Sequence, residues 1–260
     1  MNDALRFNTG EVELAYSEWP GEGPPVVALH GISLRRSANL TRCEDGHHAF
    51  AYDHRGHGES ARAPGTYTLV NYGRDAIAFL REVVREPAIL IGHSMGGLCA
   101  AYAAANAPEL VKAAFLVEMP IFWNEREPNA LMAVIEQRAG LPLDEQLSLG
   151  TPPAFAGHWA QLDPNTMKMV NDGTAFAGWD TVACLRAIDC PVVLEHGDRE
   201  GIPEGDIPSA LAEGDLERAQ PLLKNVRVLH MPGTGHVPWF GAEAAFYAEL
   251  SAFITEQRKS

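Results

Sequence analysis

Ala88-Ile89-Leu90-Ile91-Gly92-His93-Ser94-Met95-Gly96-Gly97 reads as a buried apolar strand that runs through Gly-x-Ser-x-Gly into an alanine-rich helix. A serine at a sharp strand-to-helix turn is forced into a strained backbone conformation, and the turn closes only if the residues two before and two after it are very small. Gly92 and Gly96 meet that demand. The turn lifts the Ser94 hydroxyl clear of the sheet, and the helix beginning near Met95 offers free backbone N–H groups and a positive dipole end beside it. One local structure thus supplies both a nucleophile and an anion site.

Outward from this stretch, strands and helices alternate. Ala4 to Phe7 and Glu11 to Tyr16 read as two strands with a turn at Asn8-Thr9-Gly10, the antiparallel edge of a sheet, followed by a Gly/Pro linker at Pro20 to Pro25. Pro25 to Leu29 and Ala49 to Tyr52 are short apolar strands that end in His30-Gly31-Ile32-Ser33 and in Asp53-His54-Arg55-Gly56-His57-Gly58-Glu59-Ser60. Asn71 to Arg85 has apolar residues at helical spacing, Ile77, Leu80, Val83 and Val84. Leu98 to Asn106 continues the helix after Ser94 until Pro108, and Lys112 to Val117 is the next strand. From Pro120 to about Arg186 the strand rhythm gives way to short helical pieces rich in proline and aromatics, including Trp123, Trp159 and Trp179, which is the pattern of an inserted lid. These aromatics either contact a ligand or form the core of the lid. Strands resume at Cys190 to Glu195 and Val226 to Met231, and a helix over Glu243 to Gln257 closes the sheet.

A chain of 260 residues with 46% hydrophobic content buries a full core as one α/β domain. The net charge of -14 argues against nucleic acid and anionic membrane as partners and favours neutral or cationic ligands. The first residues lack the apolar run of a secretory signal, and no segment approaches a membrane span, so cytoplasmic residence is expected. Cys43, Cys99, Cys184 and Cys190 are scattered without a Cys-x-x-Cys pair, which supports neither a disulfide framework nor a zinc site. Oligomeric state is not legible.

In an open parallel sheet, functional groups gather at the C-terminal ends of the strands. A serine hydroxyl is weak until a base takes its proton, and His236, just after the last strand, is the candidate base for Ser94. His47, His48, His158 and His230 lack a motif context, His93 reads as a spacer in the turn, and His54 and His57 sit in a glycine turn that reads as structural rather than metal-binding. The oxyanion formed at Ser94 needs two converging donors. Met95 N–H is one, and the loop after His30-Gly31 supplies the other from Ile32 N–H, with Gly31 N–H as competitor.

His30-Gly31, Asp53-x-Arg55-Gly56-x-Gly58-x-Ser60, Gly92-His93-Ser94-Met95-Gly96-Gly97 and Gly235-His236 resemble, in that order, the signatures of the α/β-hydrolases. The resemblance covers nearly the whole chain outside the lid. It implies an eight-stranded, mostly parallel sheet flanked by helices, with a core in residues 1–119 and 187–260 and a helical lid insertion in residues 120–186. It also implies no metal and no organic cofactor. The fold hosts esterases, lactonases, C–C hydrolases, haloperoxidases, acyltransferases and hormone receptors, so it does not name a substrate.

The chain departs from the family at the triad acid. In most members this is an aspartate three residues after the glycine that ends the penultimate strand, a slot that here holds Glu200. A second carboxylate, Glu118 in Val117-Glu118-Met119-Pro120, resembles the branch that includes the zearalenone lactone hydrolases, whose acid is a glutamate followed by an apolar residue and proline. The expected triad is Ser94, His236 and Glu118, with Glu200 as the alternative acid. The expected function is cofactor-independent cleavage of an ester or lactone of an apolar small molecule through an acyl-enzyme. C–C bond hydrolysis beside a carbonyl, and slow turnover in a ligand-perceiving protein, are its rivals.

Overall fold

The computed structural model describes residues 4–36, 46–204 and 206–259. Eight strands form one sheet: β1 (Leu5–Asn8), β2 (Glu13–Trp19), β3 (Glu22–Leu29), β4 (His47–Tyr52), β5 (Ala88–His93), β6 (Val111–Val117), β7 (Val192–His196) and β8 (Val226–His230). Their order is β1-β2-β4-β3-β5-β6-β7-β8. β1 with β2 and β2 with β4 pair antiparallel, and every other pair is parallel. The central strands are apolar throughout because both faces are covered. Val26, Ala28, Ile89, Ile91, Phe115 and Val193 face one core, and Val27, Leu29, Leu90, Leu116 and Leu194 face the other.

Helices α1 (Leu69–Phe79) and α2 (Met95–Asn106) cover the second face. The first is covered by Phe246, Leu250, Phe253 and Ile254 of the C-terminal helix Glu243–Lys259. Between β6 and β7 the chain forms α3 (Ala130–Arg138), α4 (Leu143–Ser148), α5 (Pro153–Trp159), α6 (Pro164–Asn171) and α7 (Thr181–Arg186). Asn129, Asp163 and Asp180 cap α3, α6 and α7 by accepting from backbone N–H groups in the first turn. This helical stretch is tied to the core where Asp163 N–H donates to the Gly56 carbonyl at 2.8 Å and Tyr67 Oη to the Asp163 carboxylate at 2.7 Å. Short helices α8 (Asp215–Ala219) and α9 (Pro238–Gly241) precede the last helix, α10.

Two elements differ from the sequence expectation. The Pro20 to Pro25 stretch is not all linker, since β3 starts at Glu22 and absorbs Pro24 and Pro25 at a register shift between Glu22 and Val26. Proline cannot donate to a ladder, so it is accommodated at such an irregularity. The helix expected over Asn71 to Arg85 is α1 continued by a wider turn over Leu80–Val84, where Arg85 N–H reaches back five residues to the Leu80 carbonyl at 2.8 Å. Cys99 and Cys184 are buried and free, Cys190 is partly buried and free, and Cys43 lies outside the described residues. Among the described residues, no helix is long and apolar enough to cross a membrane.

The loop after β4 is held by a buried ion pair. Arg55 Nε and Nη2 donate to the two Asp75 carboxylate oxygens at 2.7 and 2.6 Å, and both residues are 1% exposed. Asp75→Ala would leave the buried Arg55 charge with only the exposed Glu11 carboxylate, 3.2 Å away, as counter-ion, and is expected to cost about 3–5 kcal/mol in urea unfolding. A loss below about 1 kcal/mol, typical of exposed pairs, would show that the loop is held by other contacts.

Candidate active site

Ser94 stands between β5 and α2 with φ 54° and ψ −122°, a left-handed backbone that a serine adopts only when its surroundings enforce it. The enforcement is steric. A Cβ at Gly92 would lie 2.4 Å from the Gly96 carbonyl oxygen, and one at Gly96 would lie 2.1 Å from that of Leu29. Ser94 N–H donates to the Val117 carbonyl at 2.9 Å, and its own carbonyl receives Gly97 N–H at 2.9 Å.

Glu118 follows the end of β6, next to β5 in the sheet, and also has a positive φ of 49°. Its side chain is fully buried, with Oε2 3.2 Å from His236 Nδ1. Oε1 accepts from Gly197 N–H at 2.6 Å and Ser209 Oγ at 2.8 Å, and Oε2 accepts from Ala210 N–H at 2.6 Å. Burial alone would raise the pKa of this carboxyl. The hydrogen bond and charge of His236 and the bonds from Gly197 and Ala210 outweigh burial and hold it below the ordinary carboxylate value.

His236 lies in the loop between β8 and α9 and is held by its main chain. Its N–H donates to the Ile207 carbonyl at 2.6 Å, while Asp206 accepts from Gly235 N–H at 2.9 Å and Val237 N–H at 3.2 Å. The structure brings Ser94, His236 and Glu118 together, whereas Glu200 is exposed in the loop after β7. That loop has another occupation. Asp198 accepts from Gly233 N–H and His230 Nε2, both at 2.7 Å, and so braces the chain leading to His236.

The loop after β3 closes the other side of Ser94. His30 Nε2 accepts from His54 N–H at 3.0 Å, so the ring proton is on Nδ1, which donates to the Gly31 carbonyl at 2.8 Å. Leu34 N–H donates to the same carbonyl at 3.0 Å. In a trans peptide the carbonyl and the following N–H point opposite ways, so tying back Gly31 C=O turns Ile32 N–H away from His30. His57, from the loop that Arg55 anchors, sets Nε2 2.6 Å from the Ile32 carbonyl. Burial pushes His30, His54 and His57 below the ordinary histidine value. Among the described residues, no group of three His, Cys, Asp or Glu side chains is arranged to hold a metal.

Ser94 and His236 open into a cavity of about 690 Å³. Its walls are largely apolar, with Leu34, Leu131, Met132, Ile135, Phe155, Trp159 and Val237 among them. Trp123 and Trp159 line it. Trp179 does not: its indole donates to Thr181 Oγ1 at 2.8 Å and stacks on Tyr102 of α2. The charged groups at the cavity are largely engaged by the protein. Arg126 pairs with Asp215 and donates to the Ala210 carbonyl at 2.6 Å, and Arg199 donates to the Leu211 carbonyl at 3.0 Å.

The sequence profile of the alpha/beta hydrolase family matches residues 26–250, and the chain belongs to that family. A non-heme haloperoxidase of Rhodococcus erythropolis is 28% identical over 93% of this chain and 96% of its own. A 2-(acetamidomethylene)succinate hydrolase of Mesorhizobium japonicum is 30% identical over 89% of this chain and 87% of its own. The structure of the N-acyl homoserine lactonase AidH complexed with N-butanoyl homoserine matches with a TM-score of 0.75 at 19% identity, over 99% of this chain and 98% of that one, a likeness of fold.

Sequence reading missed Ser209 and Asp206, which carry no motif signal, and the supporting role of His57. The depressed Glu118 pKa has a measurable consequence. A carboxyl whose pKa is lower folded than unfolded stabilises the protein above its unfolded value, and this stability is lost as pH falls through the folded value. Glu118→Gln should therefore be less stable than the parent by about 1.5–3 kcal/mol at pH 7, as for bonds to a charged group, with the gap closing in acid. A gap that stays constant from pH 7 to pH 3 would mean that Glu118 is not ionised in the fold.

Proposed function

We propose that the protein hydrolyses an ester or lactone of an apolar small molecule through an acyl-enzyme on Ser94. The observation that carries this reading is the 3.2 Å contact between His236 Nδ1 and the buried Glu118 carboxylate, beside a serine on a strained turn in a mostly apolar cavity. His236 takes the Ser94 proton at Nε2 as Oγ attacks the substrate carbonyl carbon, and Glu118 stabilises the imidazolium that forms. Met95 N–H, at the start of α2, and Ile32 N–H receive the oxyanion. Support for Ile32 over Gly31 comes from the Gly31 carbonyl, which is tied back by His30 and Leu34.

Collapse of the oxyanion expels the alcohol, which takes the proton back from His236. In a lactone, that alcohol remains attached to the acyl chain. A water then gives its proton to His236 and its oxygen to the acyl carbon, which releases the acid and restores Ser94. Residues 120–186 act as the lid, and Trp159, Phe155, Leu131 and Ile135 favour an apolar acyl or alcohol part. Arg126 is already paired with Asp215, and the mostly apolar lining favours an uncharged substrate.

Ser94→Ala is expected to fold normally and lose turnover of p-nitrophenyl butyrate by several orders of magnitude, and intact-mass analysis should find the acyl adduct on the parent only. Near-parental hydrolysis by Ser94→Ala would end the serine mechanism. Glu118→Gln should lower kcat by about 10⁴ and Glu200→Gln should leave it near the parent value. The reverse pattern would move the acid to Glu200. Trp159→Ala should change the ranking of esters of different acyl length and Trp179→Ala should not. An unchanged ranking in Trp159→Ala would make that ring part of the lid core.

A further inference from the structure

His93 occupies a position in Gly-x-Ser-x-Gly on which the turn itself makes no demand. Its ring is nonetheless 2% exposed and shared by three parts of the site. Nε2 lies 2.8 Å from the carbonyl oxygen of His236, 143 residues away in sequence. A carbonyl only accepts, so Nε2 carries the hydrogen and donates it. The ring lies tilted against that of His236, with centroids 4.8 Å apart, and edge-on to Trp239 of α9 at 4.9 Å. Nδ1 has no hydrogen-bond partner among the described residues and lies against the oxyanion-side loop, where a Cβ on Gly31 would come within 2.9 Å of it.

A buried nitrogen without a partner is a cost that an apolar ring would avoid. What only the imidazole provides is a rigid donor at Nε2, aimed at the main chain of the base. That main chain needs holding. β8, the strand before it, is the sheet edge and only partly buried, so the loop depends on its own buried residues, Thr234 and Val237, and on hydrogen bonds to its main chain. With Ile207 accepting the His236 N–H and His93 donating to its carbonyl, both backbone groups of residue 236 are bound.

We propose that His93 is a positioning residue that locks the His236 main chain to the nucleophile turn, one residue from Ser94, and keeps base and nucleophile in register without itself moving a proton. This rests on the reading of Ser94 and His236 as nucleophile and base. Burial and the neighbouring His236 push the His93 pKa down to about 3, with the backbone bond and the Glu118 charge opposing this only in part, so near neutrality the ring is uncharged and its single hydrogen is the one on Nε2.

The test compares His93→Phe, which keeps a ring but has no donor, with His93→Gln, whose amide nitrogen reaches the Nε2 position. Rates on p-nitrophenyl butyrate are taken per site titrated with an irreversible phosphonate. His93→Phe should lower kcat by about 10²-fold, the cost of a misplaced reacting group. KM should stay within about twofold, and His93→Gln should recover most of kcat. Parental kcat in His93→Phe, a loss confined to KM, or a folded His93→Gln as slow as His93→Phe would each overturn the proposal. Ser94→Ala in the same assay separates the two readings: if Ser94→Ala is inactive and His93→Phe is not impaired, only the role of His93 falls. Should His93→Phe not fold, nitrogen NMR of the unmodified protein decides, with a neutral Nε2–H tautomer expected for His93 and an Nδ1–H tautomer contradicting it.

Discussion

Between β3 and the start of α2 there is no room for a methyl group. A Cβ on Gly96 would sit 2.1 Å from the Leu29 carbonyl oxygen, and one on Gly92 would strike the Gly96 carbonyl at 2.4 Å. This contact presses the helix N-terminus onto the strand ends and forces Ser94 to a φ of 54°. It also sets Ser94 beside the loop after β3, since a Cβ on Gly31 would lie 3.2 Å from that of Ser94. The placing of Ser94, of the helix N–H groups and of the Gly31-Ile32 loop thus follows from one steric fit, and the remaining parts of the site are brought up to it. Glu118 arrives on the neighbouring strand, and His236 on a loop tied down by Asp206, Ile207 and His93.

What the sequence disclosed was whatever has a local cause. The unbroken apolar runs of β3, β5 and β6 identify strands buried on both faces, and the glycine spacing around Ser94 announces the turn. Glu118 was legible in a weaker way, through its position at a strand end ahead of Pro120, although its positive φ gave no sign in the sequence. The rest depends on contacts between distant segments. Nothing in Ser209 or Asp206 marks them as partners of Glu118 and of the His236 loop, because each acts across a fold that has to form first. Trp179 looked like Trp159 in composition, yet it packs on Tyr102, outside the cavity. The His93 ring, a spacer by its motif position, meets His236 only through tertiary structure.

The loop after β7 serves the site through contacts other than Glu200. In the proposed triad the acid follows β6, and the loop after β7 is occupied otherwise. Asp198 and Gly197 instead join β8 and Glu118 to it, one by accepting from Gly233 and the other by donating its N–H to the Glu118 carboxylate. The two oxygens of Glu118, just past β6, receive four hydrogen bonds, and each of them favours the ionised form.

Glu195, on the neighbouring strand, has the opposite character. It is 1% exposed, and neither carboxyl oxygen has a partner among the described residues. Burial, reinforced by the charge of Glu118, pushes its pKa well above the ordinary value, so the fold favours its uncharged form. Because the folded form binds more protons than the unfolded one above the unfolded pKa, this residue makes the protein progressively less stable as pH rises, until the folded pKa is passed. The Glu118 carboxylate thus has a silent counterpart one strand away, a carboxyl whose surroundings resist a second negative charge in the same buried corner.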